Sequence, residues 1–296
     1  MTTSASGARP APGTALRELI GRPPLVLPGV ADALTARIAA RAGFEAVYAT
    51  GAGIANAQLG RPDVGLTTMT EAADQLARIA DAIDVPILAD MDTGFGNAIN
   101  ARRALRAFER AGAAGVQLED QVFPKRCGHF DRKEVVPLAE FLGKLRAVLD
   151  ARVDPTLVVV ARTDALAVEG LEAAVERAGR FVEAGADVVF VEAPPDRATL
   201  AALPARIHAP LVANMVEGGR TPLLSAAELA ELGYAIVLFA NTALRVAALA
   251  VRDALAELRR TGDARPLMDR VLGWEERQAL VGLDEIEALD ARYGSA

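Results

Sequence analysis

Short, continuously apolar runs alternate with amphipathic segments along most of this chain. Strands that are buried on both faces read as continuous apolar runs, whereas surface helices repeat their apolar positions about every 3.6 residues. The pattern predicts eight strands, at residues 25–30, 46–50, 86–92, 116–120, 157–163, 188–192, 211–214 and 236–241. Helices are predicted between and after them, at residues 31–42, 70–83, 98–111, 138–151, 171–184, 197–207, 226–232 and 244–260.

Four of the predicted helices end at a glycine just before the next strand, at Gly43, Gly112, Gly185 and Gly233. Glycine is the usual left-handed cap of a helix. Eight βα units in about 250 residues predict an α/β fold, the (β/α)8 or TIM barrel. An open doubly wound sheet gives the same alternation. The count of eight favours the barrel, as does the lack of a G-x-G-x-x-G motif after the first strand.

The two ends of the chain differ from its middle. Residues 1–13 are small and polar with Pro and Gly, which predicts a flexible N-terminal tail. Residues 14–260 would form the barrel, and residues 261–296 would form a C-terminal helical extension after a short linker. Because the barrel is already closed at that point, the extension must pack either on the outside of its own barrel or against a neighbouring subunit.

Composition narrows the range of functions. Hydrophobic residues make up 52% of the 296 residues, and the formal net charge is −7. A negative surface disfavours nucleic acid as a partner but leaves room for a small anionic substrate at a local cationic cluster. No apolar run is long enough to cross a membrane. The single cysteine excludes an internal disulfide framework and fits a cytoplasmic protein.

Acidic residues end several of the predicted strands, among them Asp90, Asp92, Glu119 and Glu192. Barrel enzymes build their sites at these carboxyl ends, where converging carboxylates would repel one another. A divalent cation with oxygen ligands, Mg²⁺, is the simplest solution. We expect Asp92 to be a direct ligand and Asp90 and Glu119 to reach the metal through water. The alternative for any one of them is an ion pair with Arg162 or Lys125.

Other residues near the strand ends are candidates for other roles. Zinc is disfavoured, since no Cys/His set has ligand spacing. Gly51 and Gly53 follow the second strand, where backbone amides could approach an anionic ligand, although glycine after a strand is often only a turn.

The stretch Lys125-Arg126-Cys127-Gly128-His129 holds the only cysteine and one of two histidines. Three groups that can be cationic flank one thiol, and nearby positive charge makes a thiol reactive. The alternative is a buried, inert cysteine, but a Cys between Arg and Gly does not follow an apolar period. The stretch lies soon after Glu119, so we interpret Cys127 as catalytic.

These motifs together resemble the isocitrate lyase / phosphoenolpyruvate mutase superfamily, over nearly all of the chain from residue 25. The resemblance rests on Gly-x-Pro-Asp-x-Gly at 60–65, Asp-x-Asp-x-Gly-x-Gly at 90–96, Glu-Asp-Gln at 119–121, Lys-Arg-Cys-Gly-His at 125–129, Ala-Arg-Thr-Asp-Ala at 161–165, Glu-Ala at 192–193 and Asn-Met-x-Glu at 214–217. The cysteine loop is similar to that of the C–C lyase branch, the 2-methylisocitrate and dimethylmalate lyases. In this family the loop usually acts as a mobile lid.

The resemblance implies a role for each matching residue. Asp63, Asp90, Asp92 and Glu119 would form the metal environment, with Asp63 also near the substrate. Substrate would be held by Tyr48, Thr50, Gly51, Ala52, Arg162, Glu192, Asn214 and Glu217. Cys127 would donate a proton, with Lys125 and His129 beside it in the loop. Members of the family are typically Mg²⁺-dependent tetramers that exchange C-terminal helices between paired subunits, and Mn²⁺ is a possible substitute.

The implied reaction is cleavage of a 2-hydroxy di- or tricarboxylate to pyruvate and a saturated acid. Tyr48, Lys125 or a hydroxide on the metal are the candidates for the base, and the sequence does not choose between them. Two segments depart from the 2-methylisocitrate lyase pattern: Thr-Gly-Ala at 50–52 and Glu-Gly-Gly-Arg-Thr-Pro at 217–222. The second is also similar to carboxyvinyl-carboxyphosphonate mutases. Phosphonate chemistry and oxaloacetate decarboxylation are therefore the alternatives.

Overall fold

The computed structural model describes residues 11–128 and 133–294. Eight parallel strands pair in chain order, and the eighth pairs with the first, which closes the barrel. The strands are β1 (Leu25–Val30), β2 (Val47–Ala49), β3 (Ile87–Asp90), β4 (Gly115–Glu119), β5 (Val158–Thr163), β6 (Val188–Val191), β7 (Leu211–Asn214) and β8 (Ile236–Phe239). The closed barrel is confirmed and the open doubly wound sheet is excluded.

Helices surround the barrel. They are α1 (Pro12–Ile20), α2 (Ala33–Arg41), α3 (Gly51–Ile54), α4 (Met69–Ala82), α5 (Ala98–Arg110), α6 (Leu138–Leu149), α7 (Ala165–Val168), α8 (Leu171–Glu183), α9 (Arg197–Arg206), α10 (Ala226–Leu232), α11 (Thr242–Thr261), α12 (Trp274–Leu280) and α13 (Leu283–Tyr293). The four glycines that were predicted to cap helices all have positive φ, between 89° and 102°.

Strand residues alternate between two apolar layers, as side chains in a strand must. One layer fills the barrel, with Leu27, Tyr48, Leu88 and Phe190 among its members. The other lies between the strands and the helices and includes Val47. Both layers are buried, which explains why the strands read as unbroken apolar runs in the sequence.

The sequence pattern missed α1, α3 and α7. The predicted tail is wrong at Pro12 and Gly13, which begin α1, while residues 1–10 lie outside the described residues. Helix α1 places Leu16, Leu19 and Ile20 in the apolar layer inside the barrel. It therefore closes the end of the barrel at which the strands begin.

The C-terminal extension packs lightly on the barrel. Arg41 of α2 donates a hydrogen bond to the carbonyl oxygen of Ala279. Large apolar side chains of α11, α12 and α13 remain exposed, Trp274 to 71%. They also include Val246, Leu249, Leu255, Ile286 and Leu289. Helix α11 and the extension together thus expose a set of apolar side chains in a single chain.

Candidate active site

The inward positions of the strands change character near the carboxyl end of the barrel. In β5, Val158 and Val160 face the interior apolar layer, and Arg162 and Asp164 continue the same alternation. In β6, Phe190 is followed in the same way by Glu192. The period of two therefore carries charged side chains onto the axis of the barrel once the apolar layer ends.

Lys125 lies among carboxylates. Its Nζ lies 2.6 Å from Asp63 Oδ1 and 2.8 Å from Asp92 Oδ1. Burial alone would lower the pKa of Lys125, but the carboxylates of Asp92, Glu119 and Asp63 raise it well above its ordinary value. Lys125 therefore serves as the fixed positive charge of this acidic cluster.

Asp90 is held by the backbone at the ends of β2 and β3. Its Oδ2 accepts a hydrogen bond from Gly51 N at 3.2 Å, and its Oδ1 accepts one from Asp92 N at 3.2 Å. A Cβ on Gly51 would lie 2.8 Å from Asp90 Oδ2 and 3.3 Å from Asp92 Oδ1, so glycine is needed for this approach. Tyr48 also donates a hydrogen bond to Asp90, and burial raises the pKa of Tyr48 well above its ordinary value.

Burial disfavours the charged forms of the carboxylates in the acidic cluster, even beside Lys125. Burial raises the pKa of Asp92 to about 7, Lys125 opposes the rise, and Asp90 and Asp63 add to it. Burial likewise holds the pKa of Glu119 well above its usual range, against Arg162 and Lys125. Asp92 also has φ 47°, in the left-handed region, which aspartate tolerates better than most residues.

Arg162 is the centre of a second charged cluster, which adjoins the first at Glu119. Its Nε and Nη2 donate hydrogen bonds to Asp164 at 2.9 and 3.2 Å, and its Nη1 lies 3.2 Å from Glu192 Oε2. Its Nε also lies 3.5 Å from Glu119 Oε2, and its guanidinium lies over the ring of Phe190. Burial would lower the pKa of Arg162, but Asp164, Glu192 and Glu119 raise it.

The cysteine loop reaches the same end of the barrel. Cys127 N donates to the carbonyl oxygen of Asp63 at 3.2 Å, and the side chain of Gln121 bonds both backbone groups of Arg126. The side chain of Cys127 is partly exposed and that of Arg126 is exposed. Of the cations expected around the thiol, Lys125 pairs with carboxylates, Arg126 is exposed, and His129 lies outside the described residues.

One cavity of about 200 Å³ joins these parts. Its polar lining brings both charged clusters and the thiol together, with Tyr48, Asp63, Asp90, Lys125, Cys127, Arg162, Glu192 and Asn214 around it. Phe190, Val216, Leu238 and Ala240 supply an apolar part. The site is thus a small pocket with both charged and apolar side chains in its lining.

Sequence comparison identifies the family. The phosphoenolpyruvate phosphomutase family model matches residues 16–259. The chain belongs to this family. It is 43% identical over 281 residues to 2,3-dimethylmalate lyase of Eubacterium barkeri, covering 95% of this chain and 97% of that protein. It is also 43% identical over 281 residues to 2-methylisocitrate lyase of Aeropyrum pernix, covering 95% of this chain and 90% of that protein.

Solved structures of the superfamily superpose on nearly the whole chain. A crystal structure of 2,3-dimethylmalate lyase gives a TM-score of 0.91 at 37% identity and covers 97% of both chains. Oxaloacetate acetylhydrolase with 3,3-difluorooxalacetate gives 0.92 at 35%, covering 97% of this chain and 98% of that one. Phosphonopyruvate hydrolase with oxalate and Mg²⁺ gives 0.85 at 32%, covering 96% and 100%. The expected superfamily is confirmed.

Most of the candidate site residues predicted from the sequence line the cavity. They are Tyr48, Thr50, Ala52, Asp63, Asp90, Lys125, Cys127, Arg162, Glu192, Asn214 and Glu217. Gly51, Asp92 and Glu119 lie behind that lining, next to Asp90 or Arg162. Glu217 accepts hydrogen bonds from Thr242 and Arg245, so its carboxylate is already engaged at the rim.

Several residues of the site were missed. Gln117 donates to Asp90 Oδ1 at 3.4 Å, and Lys133 lies 2.7 Å from Asp164 Oδ1. Asn241, at the end of β8, also lines the cavity. Alternation along β4 could have indicated Gln117, since it lies two residues before Glu119. Nothing local in the sequence distinguishes Lys133, whose partner is 31 residues away.

The residues present fit a divalent cation that keeps much of its water. Within the described parts of the chain, no three His, Cys, Asp or Glu side chains converge as a ready set of ligands. In those same parts, the buried Glu119 Oε1 has no hydrogen-bond partner. A hard cation with few direct carboxylate ligands and several waters suits this arrangement, and such coordination is typical of Mg²⁺.

Proposed function

We propose that this protein is a Mg²⁺-dependent carbon–carbon lyase. Its substrate would be a 2-hydroxy dicarboxylate or tricarboxylate of the 2,3-dimethylmalate or 2-methylisocitrate type, and its products pyruvate and a saturated carboxylic acid. The observation that carries the proposal is the shared cavity of Cys127, Arg162 and the acidic cluster around Asp90. The two lyases at 43% identity support it.

The metal would be held by Asp92, with Asp90 and Glu119 acting through water; Mn²⁺ is a possible substitute. When bound, it would supply positive charge that acidifies the substrate hydroxyl. The burial of these carboxylates supports the assignment, because buried negative charge of this density needs a cation. Lys125 supplies part of that charge and holds Asp63 and Asp92 in place.

Arg162 would bind a substrate carboxylate, with Tyr48, Thr50, Gly51, Ala52, Glu192 and Asn214 around it. When the hydroxyl proton leaves, the C2–C3 bond breaks and its electron pair passes to C3. The adjacent carboxylate delocalises that charge, which needs fixed cations such as Arg162. The Cys127 thiol would then give its proton to C3, and the saturated acid results. Neither Tyr48 nor Lys125 is a ready base for the hydroxyl proton, because the pKa of each is held well above its ordinary value and both therefore keep their protons. The metal, when bound, would supply the remaining candidate.

The apolar part of the cavity favours an alkyl-substituted dicarboxylate over a tricarboxylate. Phe190, Val216, Leu238 and Ala240 line that part, and they match methyl groups rather than a third carboxylate. The nearby Arg245 is already paired with Glu217 at 3.3 Å. We therefore propose 2,3-dimethylmalate-like substrates as the better fit.

A second candidate is chemistry on a phosphonate or on oxaloacetate. The likeness to phosphonopyruvate hydrolase and oxaloacetate acetylhydrolase favours it. The cysteine loop argues for the lyase, because most phosphonate members of the superfamily lack this loop. Phosphorus NMR with phosphonopyruvate would separate phosphonate chemistry from the lyase reaction, since only phosphonate chemistry gives a new phosphorus signal.

Replacement of Cys127 tests the lyase mechanism. In Cys127→Ser we expect kcat to fall about 10²- to 10⁴-fold, as for loss of a proton donor, with KM changed little. Binding of Mg²⁺ and oxalate, measured by thermal stabilisation, should persist. Arg126→Gln is the matched control, because its exposed side chain lies next to Cys127. Full activity in Cys127→Ser would remove the thiol from the reaction.

We further propose that the enzyme is a cytoplasmic homotetramer in which paired subunits exchange their C-terminal helices. The exposed apolar side chains of the extension, such as Trp274 and Ile286, support a second copy as their cover. Light scattering should give about four times the 31.0 kDa of one chain. Trp274→Glu with Ile286→Glu should lower the mass, and an unchanged mass would contradict the proposal.

Among the described residues, no helix has both the length and the apolar character needed to cross a membrane.

A further inference from the structure

Lys133 is a buried lysine that the proposed reaction does not use. Its side chain is 2% exposed, and its Nζ lies 2.7 Å from Asp164 Oδ1. The same ammonium donates a hydrogen bond to the carbonyl oxygen of Gly128. Lysine is rarely buried this deeply unless it is paired, so these two contacts account for its position.

Asp164 divides its carboxylate between Lys133 and Arg162. Its Oδ2 accepts a hydrogen bond from Arg162 Nε at 2.9 Å, while its Oδ1 accepts from Lys133 and from Arg162 Nη2. Its own backbone N–H donates to Asp120 Oδ1 at 2.9 Å. Asp164 is thus a fixed, fully buried anion that sets the orientation of the Arg162 guanidinium.

Gly128 lies directly against the same guanidinium. A Cβ on Gly128 would lie 2.5 Å from Arg162 Nη2 and 2.5 Å from Glu192 Cγ, so no side chain fits there. Gly128 follows Cys127 in the chain, so fixing the backbone of Gly128 limits where the Cys127 thiol can lie. Lys133, Asp164, Arg162 and Gly128 therefore form a closed ring of contacts, with Cys127 attached to it.

We propose that Lys133 is a positioning residue that fixes the distance between the Cys127 thiol and the Arg162 guanidinium. The proposal rests on the proposed function, in which Arg162 holds the substrate and Cys127 protonates it. A proton donor and the carbon that it protonates must be held to within a fraction of an ångström of their reactive separation. Lys133 does this without touching substrate, by tying the carbonyl group of Gly128, the residue after Cys127, to the carboxylate that orients Arg162.

A merely structural role is the competing explanation. Lys133 could do no more than balance the buried charge of Asp164. Its loss would then lower stability, while the geometry around Cys127 and the rate of turnover would stay the same. The two explanations differ in what happens at the thiol, and Cys127 is the only cysteine, so its reaction with an alkylating agent can be followed without interference.

The test uses Lys133→Met, Lys133→Gln and Lys133→Arg in the full chain, so that one variant that fails to fold does not end the experiment. Lys144→Met is the matched control, because Lys144 is also buried but pairs with Glu140, away from the cavity. We expect kcat to fall about 10- to 100-fold in Lys133→Met and Lys133→Gln, as for a misplaced reacting group. Lys133→Arg should recover part of the loss, and Lys144→Met should match the wild type.

Alkylation of Cys127 by iodoacetamide is the second measurement, made with Mg²⁺ and oxalate present. We expect the rate to change at least about 3-fold in Lys133→Met and not in Lys144→Met, because only the former displaces the peptide next to the thiol. Asp164→Asn should lower kcat by itself, and combined with Lys133→Met it should cost less than the product of the single effects.

Wild-type turnover and wild-type alkylation rates in Lys133→Met, with only a lower unfolding temperature, would overturn the positioning role. That result differs from a failure of the proposed function. If the wild-type protein cleaved no hydroxy acid, the lyase assignment would fall, yet the alkylation rates would still test whether Lys133 positions Cys127.

Discussion

The two ends of the barrel are built from the same alternation of inward side chains but have opposite chemistry. At the end where the strands begin, Leu16, Leu19 and Ile20 of α1 close an apolar interior. At the other end, the inward positions carry charged residues, among them Arg162 and Glu192, and both are almost fully buried. One end is closed by apolar contacts whose burial stabilises the fold. The other end holds buried charges whose desolvation is offset only by their pairing with one another.

This difference separates stability from activity. The residues of α1 at the apolar end contribute to folding and do not line the cavity, whereas the charged end carries a desolvation cost that we attribute to the proposed reaction. Substitutions at the two ends should therefore act on different measurements. Removal of a surplus carboxylate at the charged end should lower turnover with little effect on unfolding. A cavity made at the apolar end should lower stability with little effect on turnover.

The largest effect is expected for Asp92→Asn at the charged end. Loss of the proposed direct metal ligand should lower kcat/KM about 10³-fold, which is about 4 kcal/mol of transition-state stabilisation. The unfolding temperature should stay the same or rise, because a buried negative charge beside Asp90 is removed while Lys125 keeps its pair with Asp63. A variant that kept wild-type turnover would contradict the difference between the ends.

Leu16→Ala at the apolar end should be next in size. Leu16 is completely buried, so the substitution leaves a cavity and should lower the free energy of unfolding by about 3 kcal/mol. Chemical denaturation measures this, and kcat per folded molecule should not change. Leu34→Ala, at a half-exposed position of α2, is the control and should have a far smaller effect. A large loss of kcat in Leu16→Ala would show that the two ends are coupled.

Asp187→Ala removes one carboxylate that holds α1 at the apolar end of the barrel. Asp187 pairs with Arg17 of α1 at 2.7 Å and with Arg152 at 3.2 Å, and it accepts a hydrogen bond from Val159 N. We expect a loss of about 1 to 3 kcal/mol in the free energy of unfolding, because these donors lose their acceptor in a partly buried place. Turnover should be unaffected, and a fall in kcat without a fall in stability would count against the account.

Glu172→Gln should have the smallest effect of the four. Glu172 pairs with Arg206 at 2.6 Å on the exposed surface, and neither residue lines the cavity. Exposed ion pairs contribute little, since water and salt screen them. Neither the unfolding temperature nor kcat should change beyond experimental error. A clear effect on either would show that the outer surface, rather than the two ends, carries part of what we assign to them.

The sequence predicted the strands well because each one is buried on both faces. β1 and β7 begin and end where the apolar runs do, and β3 ends two residues earlier than predicted because Asp92 leaves the extended conformation at φ 47°. Helix α1 was missed because its apolar residues are few and follow a proline- and glycine-rich start. Its role as a plug depends on the closed shape of the barrel, which no local pattern contains.

The candidate site was predictable where chemistry repeats at strand ends and unpredictable where it depends on contacts distant in sequence. Asp90, Asp92, Glu119 and Arg162 were recognisable as polar residues that end apolar strands. Lys133 was not, since only its contact with Asp164 gives it a role. The pairing of Lys125 with Asp63 also depends on two loops that the barrel brings together, so the sequence did not indicate it.

The most direct test is the release of a 2-oxo acid, measured as pyruvate from 2,3-dimethylmalate, 2-methylisocitrate and oxaloacetate and as glyoxylate from isocitrate, each with Mg²⁺ and with a chelator. We predict that pyruvate forms fastest from 2,3-dimethylmalate, more slowly from 2-methylisocitrate, and from neither once Mg²⁺ is removed. The absence of pyruvate from both alkyl-substituted acids in the presence of Mg²⁺, or undiminished release in the presence of the chelator, would contradict it.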